Sequence, residues 1–220
     1  MPLISRPAAV IFDLDGTLVD TVGARIEAWA ETFDARDIPA SRSQLEPMIG
    51  MDGRRLAIEV AAAAGRTLSD EEAEAIDHAA GEAFDEHNRE PRPLPGAREA
   101  LARLDAAAIT WAIATSSRAE QVRASVAALG LEREPRIVDG SAVAHAKPAP
   151  DLLLLTARRL EVAPEACWYV GDSTWDMRAA VAARMAAIGV LAGAAVDADA
   201  LLEAGADRVL GTLDELQVPG

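Results

Sequence analysis

Asp13-Leu14-Asp15-Gly16-Thr17, Thr115-Ser116, Lys147-Pro148 and Gly171-Asp172-Ser173, with Asp176 one helical turn on, hold the side chains best suited to chemistry in this chain. Singly, each stretch has an ordinary explanation. Asp-Gly is a common turn pair, and Thr115, Ser116, Asp172 or Ser173 would serve as helix N-caps. Lys147 would serve as a solvated lysine. Caps and turns do not, however, require four acids to share one place. Clustered carboxylates repel one another unless a cation sits among them. Oxygen-only donors select a hard ion, and Mg²⁺ is the hard ion suited to phosphate chemistry.

The elements around these stretches decide whether they meet. Val10 to Phe12, Ile109 to Ala114, Ile137-Val138, Cys167 to Val170, Met185 to Val190 and Arg208 to Leu210 read as short buried strands. Between the later ones lie helical stretches at Asp151 to Leu160, Trp175 to Ala183 and Asp197 to Ala204. A further helix places Val122, Ser125, Val126 and Leu129 on one face and stops at Gly130. Strand–helix alternation predicts an α/β fold, a Rossmann-like parallel sheet with helices on both faces. Ligands of such sheets bind beyond the carboxyl ends of the strands, where Asp13, Asp15, Thr115, Ser116, Asp172 and Asp176 all fall.

After the first strand the alternation stops. Ile26, Trp29, Ala30 and Phe33 make a helical stripe. Ser69 and Glu72 form a capping-box pattern ahead of Ile76, Ala80 and Phe84. The helical stretch closes at the stiff run Pro91-Arg92-Pro93-Leu94-Pro95-Gly96. The expected organisation is a core of residues 1–18 and 93–220, with a helical insert at 19–92.

Composition narrows the partners. The formal charge of −15 repels nucleic acid and acidic membranes, so neither is expected as a partner. No apolar run approaches a membrane span, and the apolar stretch Ala8 to Phe12 is too short for a signal peptide. Cys167 has no second cysteine to pair with, which suits a reducing compartment. A cytoplasmic protein is expected, either monomer or homodimer. An anionic substrate would need local cations to overcome the overall field.

In order and spacing, the four stretches resemble the motifs of the haloacid dehalogenase superfamily, and the resemblance spans essentially the whole chain, including an α-helical cap inserted after the first motif. The resemblance implies a Mg²⁺-dependent phosphate-monoester phosphatase acting on a small phosphorylated metabolite, of which 2-phosphoglycolate is a family-level example. Asp13 would be the nucleophile that forms an aspartyl phosphate, and Asp15 the acid and then the base. Thr115 and Ser116 would hold phosphoryl oxygens, and Lys147 would neutralise the phosphate and hold Asp13. The Asp13 carboxylate, the Asp15 carbonyl and Asp172 would hold Mg²⁺, supported by Asp176.

An aspartate at position 15 implies transfer from an alcohol oxygen, because dehalogenases lack an acid there. Both phosphatases and phosphomutases satisfy that requirement. The β-phosphoglucomutases place a histidine where Arg25 stands and a Glu-Asp pair where Gly171-Asp172 stands, so the phosphatase reading is favoured. A phospho-receiver module is the rival of another class, but such modules are shorter and their phosphorylated aspartate follows the third strand. A non-catalytic binding relative is a further rival, and the full set of chemical residues argues against it. Gly50-Met51-Asp52-Gly53-Arg54-Arg55 sits where related caps carry a specificity loop, which makes Arg54 and Arg55 candidates for gripping substrate. Arg118 is a candidate for reaching the phosphate.

Overall fold

A computed structural model describes residues 5 to 219 of the chain. In chain order the elements are β1 (Ala9–Phe12), β2 (Val19–Asp20), α1 (Val22–Asp34), α2 (Arg42–Leu45), α3 (Gly53–Ala63), α4 (Asp70–His87), β3 (Arg92–Pro93), α5 (Ala97–Ala106) and β4 (Thr110–Ala114). There follow α6 (Val122–Ala128), β5 (Ile137–Val138), α7 (Asp151–Leu160), β6 (Cys167–Gly171), α8 (Thr174–Ala182), β7 (Ala186–Val190), α9 (Ala198–Glu203) and β8 (Arg208–Leu210).

The main sheet has six strands in the order β5-β4-β1-β6-β7-β8, all parallel. Its first strand is therefore internal, with β4 on one side and β6 on the other. Successive residues of β1 feed opposite faces. Val10 and Phe12 join a core with α5, Trp111, Ile113 and Val170. Ala9 and Ile11 join a second core with α7, α8 and Tyr169. Burial on both faces explains why these strands read as continuous apolar runs instead of alternating ones.

Phe12 pairs with Ile113 on one side and Val170 on the other. The register therefore brings the chain following β1, β4 and β6 to one edge, where the strand order changes direction. Sheets of this kind open a ligand crevice at that point.

The helical stretch has a core of its own. Ile26, Trp29 and Phe33 of α1 meet Leu56 and Val60 of α3 and Ala73, Ile76 and Ala80 of α4. Trp29 and Phe33 stack with ring centroids 5.4 Å apart. At the start of α4 the capping box forms as expected: Ser69 N–H donates to Glu72 Oε2 at 2.7 Å, and Glu72 N–H donates to Ser69 Oγ at 3.2 Å. Among the described residues no helix is long and apolar enough to cross a membrane.

Two features were not expected from sequence. The segments leading into and out of the helices pair as a small antiparallel ribbon, Val19 with Pro93 and Asp20 with Arg92. Strands of two residues are too short to show a periodicity. Trp175, within a stretch that follows a sheet strand, is buried as a core residue, but in the apolar cluster of α1, α3 and α4, where its indole N–H donates to the Pro47 carbonyl at 3.0 Å. A helix carrying Asp176 on one side thus presses its tryptophan into the helical stretch.

Replacing Trp175 with alanine should lower unfolding free energy by about 3–5 kcal/mol, the usual cost of emptying a buried aromatic site. A denaturant titration reads this directly. A loss under about 1 kcal/mol would mean that Trp175 does not join the two parts.

Candidate active site

Asp13 stands at the end of β1, almost fully buried, with its N–H bonded to the Val170 carbonyl at 2.8 Å. The chain then turns sharply: Leu18 N–H and Val19 N–H both reach back to the Leu14 carbonyl, at 3.0 and 3.1 Å. Gly16 takes φ +83° at the centre of this turn, and a Cβ there would collide with the Asp172 carboxylate. Glycine thus supplies both the left-handed backbone and the close approach. Thr17, next in the turn, donates its hydroxyl to Asp172 Oδ1 at 2.7 Å.

Lys147 is 1% exposed, and its ammonium donates to Asp13 Oδ1 at 2.6 Å and Asp176 Oδ1 at 2.7 Å. Asp176 is saturated by protein partners. Its Oδ1 also accepts the Tyr169 hydroxyl at 2.9 Å, and its Oδ2 accepts Ser173 N–H at 3.0 Å and Ser173 Oγ at 2.6 Å. By contrast, among the described residues Asp13 Oδ2 and Asp172 Oδ2 accept no side-chain or N–H donor. Asp13, Asp172 and Asp176 offer oxygens that all lie within 4.8 Å of one another.

Such a cluster is short of positive charge. Burial pushes the Asp13 carboxyl up to about 7, against the pull of Lys147 and with the push of Asp176. Burial, followed by the charges of Asp176 and Asp13, holds Asp172 well above the usual carboxylate range. Burial works against Asp176 too, but the charge and hydrogen bond of Lys147, together with Ser173 and Tyr169, bring it below its ordinary value. Lys147 itself is held above the ordinary lysine value despite its burial, by Asp13 and Asp176. One ammonium therefore stabilises one carboxylate fully and leaves two undercompensated. A divalent cation with oxygen ligands fits that deficit.

Asp15 faces the same cavity. Thr21 donates to its Oδ1 at 2.9 Å, and Ser117 at 2.5 Å and Arg25 at 3.2 Å donate to its Oδ2. Thr115 is buried, and its hydroxyl accepts the Ser117 N–H at 3.1 Å. Among the described residues Ser116 Oγ is a buried hydroxyl with no partner, and Ser116 lines the cavity. An unbonded hydroxyl in the cavity that Asp13 and Lys147 also line can donate to a bound acceptor. The cavity holds about 460 Å³ and runs from Asp13, Lys147 and Thr115 to Arg54, Glu74 and Asp77 on the helical side.

Asp13, Asp15, Thr115, Ser116, Lys147, Asp172 and Asp176 thus come together as the sequence suggested. The arginines behave differently. Arg54 lines the cavity, 3.7 Å from Glu74. Arg55 pairs with Glu59 at 2.6 Å and lies over the Trp175 ring, not among the residues lining the cavity. Arg118 turns to α4, donating to Glu74 at 2.6 Å and Asp77 at 2.8 Å. Acids on a neighbouring helix took it, which spacing along the chain cannot reveal.

Arg25, Thr21 and Ser117, which hold Asp15, are site residues to which sequence reasoning gave no role. Arg25 lies four residues before Trp29 on the buried stripe of α1, and its guanidinium stacks on Phe84 at 3.4 Å. A charge continuing an apolar stripe was the available signal. Ser117 follows directly on Thr115-Ser116.

The model of the haloacid dehalogenase-like hydrolase family matches residues 10–190 of the chain. A phosphoglycolate phosphatase from Xanthomonas campestris is 32% identical over 196 residues, 85% of this chain and 84% of that protein. Hexitol phosphatase A from Escherichia coli is 33% identical over 219 residues, 97% of this chain and 94% of that protein. A crystal structure of a hydrolase from Pseudomonas syringae superposes with a TM-score of 0.88 at 34% identity, covering 93% of this chain and 94% of that one.

The raised Asp13 carboxyl carries a stability consequence. Between its unfolded value near 3.8 and about 7, the metal-free folded protein keeps a proton that the unfolded chain has released. Stability from this group is therefore complete at low pH and is lost as pH rises through that window. In chelator, Asp13→Asn should melt several degrees above the parent at about pH 8, with the gap closing towards about pH 5. An equal or lower melting temperature for the variant at high pH would contradict the charge deficit.

Proposed function

The chain belongs to the haloacid dehalogenase-like hydrolase family, and from that premise we propose that it is a Mg²⁺-dependent phosphatase that releases phosphate from a small phosphorylated metabolite through an aspartyl phosphate on Asp13. The observation that carries this reading is the buried Lys147 ammonium bridging Asp13 and Asp176, next to carboxylates that lack compensating charge.

Asp13 attacks phosphorus, forming an acyl phosphate as the bond to the leaving alcohol oxygen breaks. Asp15 gives that oxygen its proton. In the second half Asp15 takes a proton from water, whose oxygen attacks phosphorus and frees the Asp13 carboxylate and inorganic phosphate. Lys147 fixes the orientation of Asp13 and offsets the charge that gathers on the phosphoryl oxygens. Thr115 and the unpaired Ser116 hydroxyl bind those oxygens. Asp13, Asp172 and the Asp15 carbonyl, supported by Asp176, would hold Mg²⁺, which would supply the positive charge that an anionic phosphoryl group needs among carboxylates.

Arg25, Thr21 and Ser117 keep Asp15 aimed at the leaving oxygen, the geometry that proton transfer requires. In this reading residues 1–18 and 93–220 are the catalytic core, residues 19–92 form the cap, and the Val19–Asp20 and Arg92–Pro93 ribbon joins them.

With p-nitrophenyl phosphate and MgCl₂, the protein should release phosphate, and chelator should stop it. Asp13→Asn should lower turnover by at least roughly a thousandfold, as loss of an attacking group does; near-parental turnover would exclude Asp13 as nucleophile. Asp15→Asn should behave differently on this substrate. Nitrophenolate leaves without a proton, whereas the water step still needs a base. A burst of nitrophenolate stoichiometric with enzyme should precede a steady rate lowered by roughly 10²- to 10⁴-fold. Slow release with no burst would contradict the two-step division of labour.

A further inference from the structure

The far end of the cavity bears on what the phosphate is attached to, a question the relatives leave open because they bear names for both a phosphorylated acid and phosphorylated polyols. Eight carboxylates line the cavity against four cations, Arg25, Arg54, Arg118 and Lys147. Every one of those cations is already matched. Lys147 holds Asp13 and Asp176, and Arg25 holds Asp15. Arg118 holds Glu74 and Asp77, while Arg54 lies 3.7 Å from Glu74 and 3.9 Å from Asp52. Even with a divalent ion bound, the lining keeps an excess of negative charge. A substrate that carried a carboxylate beside its phosphate would meet no free cation and several like charges.

Resting on the phosphatase reading, we propose that the leaving group of the substrate is a neutral polyhydroxylated chain or ring, a polyol or sugar phosphate, received by Asp52, Glu74, Asp77 and Gln121. Hydroxyl groups both donate and accept, and so does this wall. Carboxylates of Asp52, Glu74 and Asp77 accept; Arg54 and the Gln121 amide donate. Gln121 is fixed with its Oε1 accepting the Arg118 N–H at 3.0 Å, which leaves its NH₂ group to donate. That amide lies so close to α4 that a Cβ on Gly81 would collide with it. An ammonium group would meet the carboxylates but could not accept from Arg54 or the Gln121 amide, whereas a hydroxyl does both. Burial raises the Asp77 carboxyl above its usual value, so a further negative charge near it is opposed while a hydroxyl is not.

The test is phosphate release by the intact protein with Mg²⁺, measured as kcat/KM. D-glucitol 6-phosphate, D-mannitol 1-phosphate and D-glucose 6-phosphate are compared with 2-phosphoglycolate and O-phosphoethanolamine, with p-nitrophenyl phosphate as the class-neutral control. The best polyhydroxylated substrate should exceed both small charged ones by at least about tenfold. A rate for 2-phosphoglycolate or O-phosphoethanolamine within that margin would overturn the assignment and leave the phosphatase reading intact. No release from any compound, the control included, would instead remove the phosphatase reading and this inference with it. Asp77→Asn, with Glu74→Gln as a second variant should the first fold poorly, should shift the polyol-to-phosphoglycolate ratio by about tenfold towards the acid. An unchanged ratio in a folded variant would overturn the role of the wall.

Discussion

A lysine ammonium buried between two aspartates is the interaction on which the rest of this structure depends. Lys147 comes from the loop before α7, Asp13 from the end of β1, and Asp176 from the first turn of α8. Removing the ammonium would leave the buried carboxylates without that compensating charge, a loss that typically costs about 3–5 kcal/mol. The sheet register, the Gly16 turn and the Ser173 cap all serve to hold these three side chains at hydrogen-bonding distance. The arrangement still stops short of neutrality. Asp176 takes most of what Lys147 offers, and Asp13 and Asp172 are left with raised carboxyls. In the proposed function, that imbalance is the physical reason for a divalent cation beside Asp13.

Much of this was readable from the chain because the core elements obey simple periodicities. The strand at Cys167 and the helix at Asp151 fall where apolar runs and an amphipathic pattern place them, and the residues following the strands therefore share an edge. The chemistry-bearing side chains are local to those strand ends. Their convergence follows from a parallel sheet alone.

What escaped sequence reading depends on contacts between distant segments. Arg118 was a candidate for reaching the phosphate; it lines the cavity, but its guanidinium pairs with Glu74 and Asp77, some forty residues earlier. Arg55 has Glu59 one turn along its own helix and leaves the cavity. Arg25 was weighed only as a departure from another branch of the family, whereas the structure places it on Asp15. Trp175 sits inside a sheet motif but satisfies its ring and its N–H in the helical stretch. In each case the side chain's direction, not its position in the sequence, settles its role.

The cavity accordingly has two ends with different origins. Strand ends and Lys147 build the phosphoryl end, and α3, α4 and the loop after β4 build the other. The central claim concerns the first, that phosphate passes through a covalent bond to Asp13. Acid quenching during turnover, followed by borohydride reduction and peptide mass spectrometry, tests it most directly, because borohydride converts an aspartyl phosphate to homoserine. The account predicts homoserine at position 13 and at no other aspartate. Full turnover with an unmodified Asp13 peptide, or homoserine at a different position, would contradict it.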